Sequence, residues 1–137
     1  MKYLAVIDTN VIVSALLKPN SNPGKVINYI KQDRIVPVYD NSILEEYDEV
    51  LRRTKFNISD DERSNIIKEI TSHGFTLQKT QTDEVFKDKS DIKFFQIVLT
   101  ANSIQDSYLV TGNQKDFPQR VFIVDPATMV KIVESNK

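Results

Sequence analysis

The chain has 137 residues, with 18 Lys and Arg against 19 Asp and Glu and a formal net charge of −1, so it fits one domain spanning 1–137 and carries no polybasic nucleic-acid arm. With 40% apolar and 27% charged residues it has the composition of a globular chain rather than a disordered one. Zero cysteines and a single histidine, His73, exclude disulfides, thiolate and His-rich metal centres and a cysteine nucleophile, and leave little for a Ser-His-Asp triad.

In chain order, the unbroken apolar run Tyr3 to Ile7 predicts a strand buried on both faces, the central one of a parallel sheet. Val11 to Leu17 reads as a short helix. Asn22 as N-cap, with Pro23 at the first helical position, opens a second helix to about Arg34. Ile35 to Tyr39 is a strand in which Pro37 points to an edge or an irregularity. Ser42 and Glu45 read as a capping box that opens a third helix. A fourth helix runs from about Asp60 to Ser72, with Gly74 past its end. Phe75 to Gln78 reads as a strand, Lys79 to Lys89 as a polar loop, Asp91 to Asn102 as a helix, Tyr108 to Thr111 and Val121 to Val124 as strands, and Pro126 to Glu134 as a closing helix. Strands alternating with helices imply an α/β fold, a three-layer α/β/α sandwich on a central parallel sheet of about five strands. Ligand sites in such folds lie beyond the carboxyl ends of the strands.

No apolar run reaches the roughly 20 residues of a membrane helix, and Met1-Lys2-Tyr3-Leu4 lacks a signal-peptide pattern, so a cytoplasmic protein with no membrane partner is expected. Gly24, Gly74 and Gly112 are the only glycines, too few for a phosphate-binding loop or a dinucleotide fingerprint.

Three acids stand where packing alone would place something else. Asp8 follows the buried run directly, at the carboxyl edge of the central strand; an N-cap for the next helix is the simpler reading. In the third helix, at ~100° per residue, Ile43, Leu44, Tyr47, Val50 and Leu51 form one stripe. Glu45 and Glu49 point away from it and Glu46 lies on its flank. With Glu45 assigned to the capping box, Glu46 is the better site candidate, against the simpler reading of a solvated glutamate. Asp91 precedes Phe95, Val98 and Asn102 at helical spacing, so it faces the core side at the amino end of its helix. There it is either a first-turn residue favoured by the helix dipole or a carboxylate that needs a partner. Asp88 ranks below it as a plausible N-cap. Carboxylates ~4 Å apart repel by roughly 4 kcal/mol at an effective dielectric of 20. A divalent cation relieves that repulsion, and with oxygen ligands only the expected ion is Mg²⁺ or Mn²⁺. Thr111 and Asn113, around Gly112, can orient a carboxylate or a water, unless they form an ordinary turn.

The blocks Ile7-Asp8-Thr9-Asn10-Val11, Leu44-Glu45-Glu46-Tyr47, Asp88-Lys89-Ser90-Asp91 and Leu109-Val110-Thr111-Gly112-Asn113 occur in the order seen in PIN-domain nucleases, and the chain resembles the branch of toxins from toxin–antitoxin systems. The resemblance implies a compact α/β/α fold with an acidic, Mg²⁺- or Mn²⁺-dependent site that cleaves RNA to a 5′-phosphate and a 3′-hydroxyl. By it, Asp8, Glu46 and Asp91 match the first three family acids, catalytic and metal-binding. Asn113 stands at the fourth, where an amide supplies no charge, and Asp116 is placed to compensate from the loop. The resemblance also implies an RNA substrate, an antitoxin protein as partner and a homodimer.

Substrate contacts are expected from Arg52, Arg53 and Lys55 at the end of the Glu46 helix and from Lys18, Lys115 and Arg120 in loops, with Asn10 and Thr111 at the sheet edge. The basic trio also simply complements a helix dipole, and His73 is expected to do the same at the fourth helix. Two other enzyme classes fit less well. A haloacid-dehalogenase-type phosphatase needs an Asp two residues after Asp8, where Asn10 stands, and a phosphoreceiver needs an acidic pair that is missing. The non-enzymatic alternative is a weak or inactive PIN-like module that binds RNA or protein.

Overall fold

The structure is a computed structural model that describes residues 1–136. Five parallel strands form the sheet, in the order β3-β2-β1-β4-β5: β1 (Tyr3–Ile7), β2 (Ile35–Tyr39), β3 (Phe75–Thr76), β4 (Ser107–Val110) and β5 (Ile123–Val124). All five residues of β1 are buried, as a strand covered on both faces requires. It pairs with β2 on one side and β4 on the other. β3 and β5 are only two residues long, shorter than the patterns suggested. Val121 is almost fully exposed and stays outside the sheet.

Among the described residues six α-helices cover the sheet: α1 (Thr9–Leu17), α2 (Asn22–Lys31), α3 (Asn41–Leu51), α4 (Asp60–His73), α5 (Ile92–Asn102) and α6 (Pro126–Ser135). The chain moves from β1 outward to β3, then returns past β1 to β4. Right-handed crossovers therefore put α5 on the face opposite α2 and α4. α5 packs on β4, β1 and β2, while α2 contacts β2, α4 and α6. The sheet order reverses between β2-β1 and β4, which makes the crevice past the ends of β1 and β4 the natural ligand position.

The capping residues differ from expectation at two helices. Asp40, not Ser42, caps α3: its Oδ1 accepts from the Ile43 amide at 3.0 Å and from the Ser42 hydroxyl at 2.6 Å. Ser42 is thus already inside the helix, and Glu45 is an exposed residue with no capping-box role. Ser21 rather than Asn22 caps α2, accepting from the Gly24 amide. The reciprocal capping box belongs to α4, between Ser59 and Glu62. Each shift is one or two residues, within a run of several side chains that can cap.

Pro37 lies in an interior strand rather than an edge one. β3 pairs with β2 from Val38 onward, so on that side Pro37 meets Gly74 instead of a ladder partner, while on the other it pairs with Ala5 of β1. Arg63 is the buried charge of the helical layer; it pairs with Asp48 at 3.1 Å and with Asp60 at 2.7 Å, tying α3 to α4. Among the described residues no helix is long and apolar enough to cross a membrane.

Candidate active site

β1 ends at Ile7, and Asp8 turns the chain into α1. It occupies the N-cap position but its side chain makes no capping bond. Its amide donates to the Val110 carbonyl at 2.9 Å. Its Oδ2 accepts instead from the Thr111 hydroxyl at 2.7 Å and from Asn10 Nδ2 at 3.4 Å. Only 6% of Asp8 is exposed. Burial pushes its carboxyl above the usual range; the Thr111 hydroxyl and the Thr9 amide oppose that rise, and the charges of Glu46 and Asp116 add to it.

Asp91 closes a short 3₁₀ turn, Lys89–Asp91, ahead of α5, and its side chain makes no capping bond either. Asp88 caps the turn, accepting from the Ser90 amide at 2.9 Å and the Ser90 hydroxyl at 2.7 Å. The expected coreward face is realised: Phe95 and Val98, one and two turns on, are buried. The Asp91 carboxyl is pushed up to about 7, first by burial, then by the charges of Asp8, Asp88, Asp116 and Glu46. Glu46 reaches the same place from α3. Its Oε1 accepts from Lys93 Nζ at 2.6 Å and its Oε2 from the Thr9 hydroxyl.

These three acids line one open cavity of about 650 Å³ together with Asn10, Asn113, Arg53 and Phe56. Asn113 is exposed, its amide donating to Thr111 Oγ1 at 3.0 Å. Asp116 lies outside the lining, on the turn Gln114–Asp116, and acts on Asp8 and Asp91 through its charge. Thr111 is fully buried, so it orients Asp8 rather than meeting a substrate. Among the proposed phosphate contacts only Arg53 borders this cavity. Arg52 is paired with Asp48 at 2.8 Å. Lys115 and Arg120 line a separate cavity of about 550 Å³, where Arg120 also pairs with Glu84. Lys18 is exposed past the end of α1, and Lys55 lies over the Phe56 ring, 5.1 Å from its centroid. His73 is held between Asp33 and Glu69, away from the acids.

A family model described as PIN domain matches residues 4–115. The chain belongs to the PIN domain family. The matched stretch contains Asp8, Glu46, Asp91 and Asn113 and stops one residue short of Asp116. This PIN domain is 30% identical over 117 residues to an uncharacterized protein of Methanocaldococcus jannaschii, an alignment that covers 83% of the chain and 73% of the relative. No solved structure matches it. PIN domains are nuclease-type domains that typically use divalent metal ions.

The side chains of this PIN domain suit such an ion. The donors are carboxylate, hydroxyl and amide oxygens, which favour hard cations. Among the described residues neither the buried Asp8 nor the half-buried Asp91 has a cationic partner. As they stand, however, no three Asp, Glu or His side chains among the described residues form a group that could hold a metal. Lys93, which engages Glu46, and Thr9 were not anticipated from the sequence. One signal pointed to Lys93: it is a cation in the first turn of a helix, where the dipole disfavours it, two residues from an acid.

Proposed function

We propose that this PIN domain is a Mg²⁺- or Mn²⁺-dependent endoribonuclease that hydrolyses RNA to a 5′-phosphate and a 3′-hydroxyl. The observation that supports this most directly is the pair Asp8 and Asp91, two carboxylates without cationic partners, close enough that the charge of Asp8 raises the Asp91 carboxyl. They would hold the ion, with Glu46, Asn113 and Asp116 as the further oxygen donors. When bound, a divalent cation supplies Lewis acidity toward a phosphodiester and acidifies water at the site. Thr111 and Asn10 keep Asp8 oriented and its charge stabilised through their hydrogen bonds. Thr9 fixes the Glu46 carboxylate at the cavity wall, and Asn10 and Asn113 offer amides to the sugar–phosphate chain from that wall. Arg53 at the rim is the phosphate contact this arrangement favours, with Lys18, Arg52 and Lys115 as outlying ones.

The reading extends to a cytoplasmic toxin of a toxin–antitoxin pair that acts as a homodimer and is restrained by an antitoxin protein. A small neighbouring reading frame whose product relieves growth arrest would support that role; its absence would favour a housekeeping nuclease. A second reading, an RNA- or protein-binding module with little catalysis, is favoured by the engagement of Glu46 with Lys93 and by an uncharged Asn113. Incubating single-stranded RNA with the purified protein and Mn²⁺ separates the two. Cleavage by the wild type, lost in Asp8→Asn with the fold retained, is the expected result; equal cleavage by both would trace the activity to a contaminant and overturn the assignment.

A further inference from the structure

Lys93 is the second residue of α5, where the positive end of the helix dipole works against an ammonium. It is nevertheless well placed. Its side chain is only 15% exposed, and Nζ donates to Glu46 Oε1 at 2.6 Å and to the Ser90 carbonyl at 2.5 Å. The ammonium also lies over the Phe94 ring, 5.0 Å from the centroid. Glu46 is equally tied: its other carboxylate oxygen accepts from Thr9. Among the described residues this is the one ion pair that reaches the inner acids; Asp8 and Asp91 have none. Lys93 does not line the cavity itself, but its ammonium bonds two residues that do, Glu46 and Ser90, and neutralises Glu46 in place.

We infer that Lys93 is the resident counterion of Glu46 and competes with a divalent cation for that carboxylate. The inference rests on the metal-dependent reading above. Of the three acids that share the cavity, Glu46 alone is already engaged by an ammonium. With Lys93 in place, a cation meets two free carboxylates and a nearby positive charge. For Glu46 to join, the ammonium must give up its two hydrogen bonds and leave a pair that is largely shielded from water, where charges interact more strongly than at the surface. Lys93 therefore sets how tightly the site holds its ion and whether Glu46 takes part.

Calorimetric titration of the full chain with Mn²⁺ alone, without RNA, tests this. Lys93→Met keeps most of the apolar stem and removes the charge; it is expected to bind Mn²⁺ about tenfold tighter than the wild type. Lys93→Arg, which keeps the charge, is expected to bind like the wild type. Glu46→Gln alone leaves the ammonium unpaired beside the site and should weaken binding, whereas added to Lys93→Met it should erase the gain. A Lys93→Met protein that melts as a folded chain and binds Mn²⁺ no more tightly would overturn the inference and leave Lys93 as a structural tie between α3 and α5. A measurement on the wild type is independent of any folding defect: acylation of the Lys93 amine, read by mass spectrometry, should rise several-fold when Mg²⁺ is added, and an unchanged yield would count against competition. Asp8→Asn separates the two levels. If it binds Mn²⁺ like the wild type, the metal reading itself fails; if it loses Mn²⁺ while Lys93→Met and the acylation yield show no effect, only the role of Lys93 fails.

Discussion

The Thr111 hydroxyl donates to Asp8 Oδ2 at 2.7 Å, joining the end of β4 to the end of β1 with both side chains buried. The same oxygen accepts from the Asn113 amide at 3.0 Å, so one threonine links the innermost acid to the loop beyond it. Thr111→Val preserves shape and removes both bonds. Because the hydroxyl favours the ionised carboxylate, the Asp8 carboxyl should rise further. Mn²⁺ affinity at pH 7 is expected to drop, because the ion competes with a proton that Asp8 then holds more readily, and the fold to lose about 1–3 kcal/mol. Calorimetry and urea denaturation read the two effects; unchanged Mn²⁺ affinity would reduce Thr111 to a space-filling residue.

The Asp91 carboxyl, at about 7 against an ordinary 3.8, keeps its proton in the folded chain over a pH interval where the unfolded chain has released it. Its contribution to stability is therefore greatest in acid and is lost as pH rises from about 4 through about 7. Asp91→Asn removes that dependence. In the presence of chelator the variant should match the wild type near pH 4 and exceed it at pH 8 by on the order of 2 kcal/mol, allowing for solvent at the cavity mouth. Urea titrations at the two pH values give the difference, and a gap that does not change with pH would contradict the assignment of the raised carboxyl to Asp91.

Gly74 ends α4 against Pro37. A Cβ built there would lie 2.0 Å from the Pro37 carbonyl oxygen, while φ is −130°, a value open to any residue. The requirement is therefore close approach of two backbones, not a left-handed turn. Gly74→Ala should cost about 1–3 kcal/mol or more, since the carbonyl belongs to an interior strand and cannot yield freely. Gly112, whose Cβ would find only Asn10 Oδ1 at 3.7 Å, should accept alanine within about 0.5 kcal/mol. Thermal melts of the two variants check the contrast.

Two acids at the start of α3 should behave oppositely. Asp40→Ala removes the cap bond to the Ile43 amide and the pair with Lys79 at 3.2 Å, a loss of about 0.5–2 kcal/mol. Glu45→Ala removes an exposed side chain and should stay within about 0.5 kcal/mol. A larger effect at Glu45 than at Asp40, by denaturant titration, would restore the capping box suggested by the local pattern.

The periodicity of the chain was sufficient for the sheet. Tyr3 to Ile7 read as a strand covered on both faces, and the alternation of strands with helices implied parallel pairing. Asp91 was legible as a coreward acid because helical spacing is a local property. The caps were less so: Asp40 and Ser42, or Ser21 and Asn22, differ by fractions of a kcal/mol as caps, and the choice depends on where the preceding strand or loop leaves the chain.

The charge state of the site belongs to the tertiary structure. The sequence by itself determined that a metal site here relies on oxygen donors, because it holds no cysteine and one histidine. Only the fold decided that Lys93, 47 residues from Glu46, would neutralise it, that Asp8 would be left to Thr111, 103 residues away, and that Arg53 alone of the proposed phosphate contacts would border the acids. Secondary structure is encoded over a few residues by hydrogen-bond geometry and side-chain period. Electrostatic pairing depends on distances in space between groups far apart in the chain, which no local pattern records.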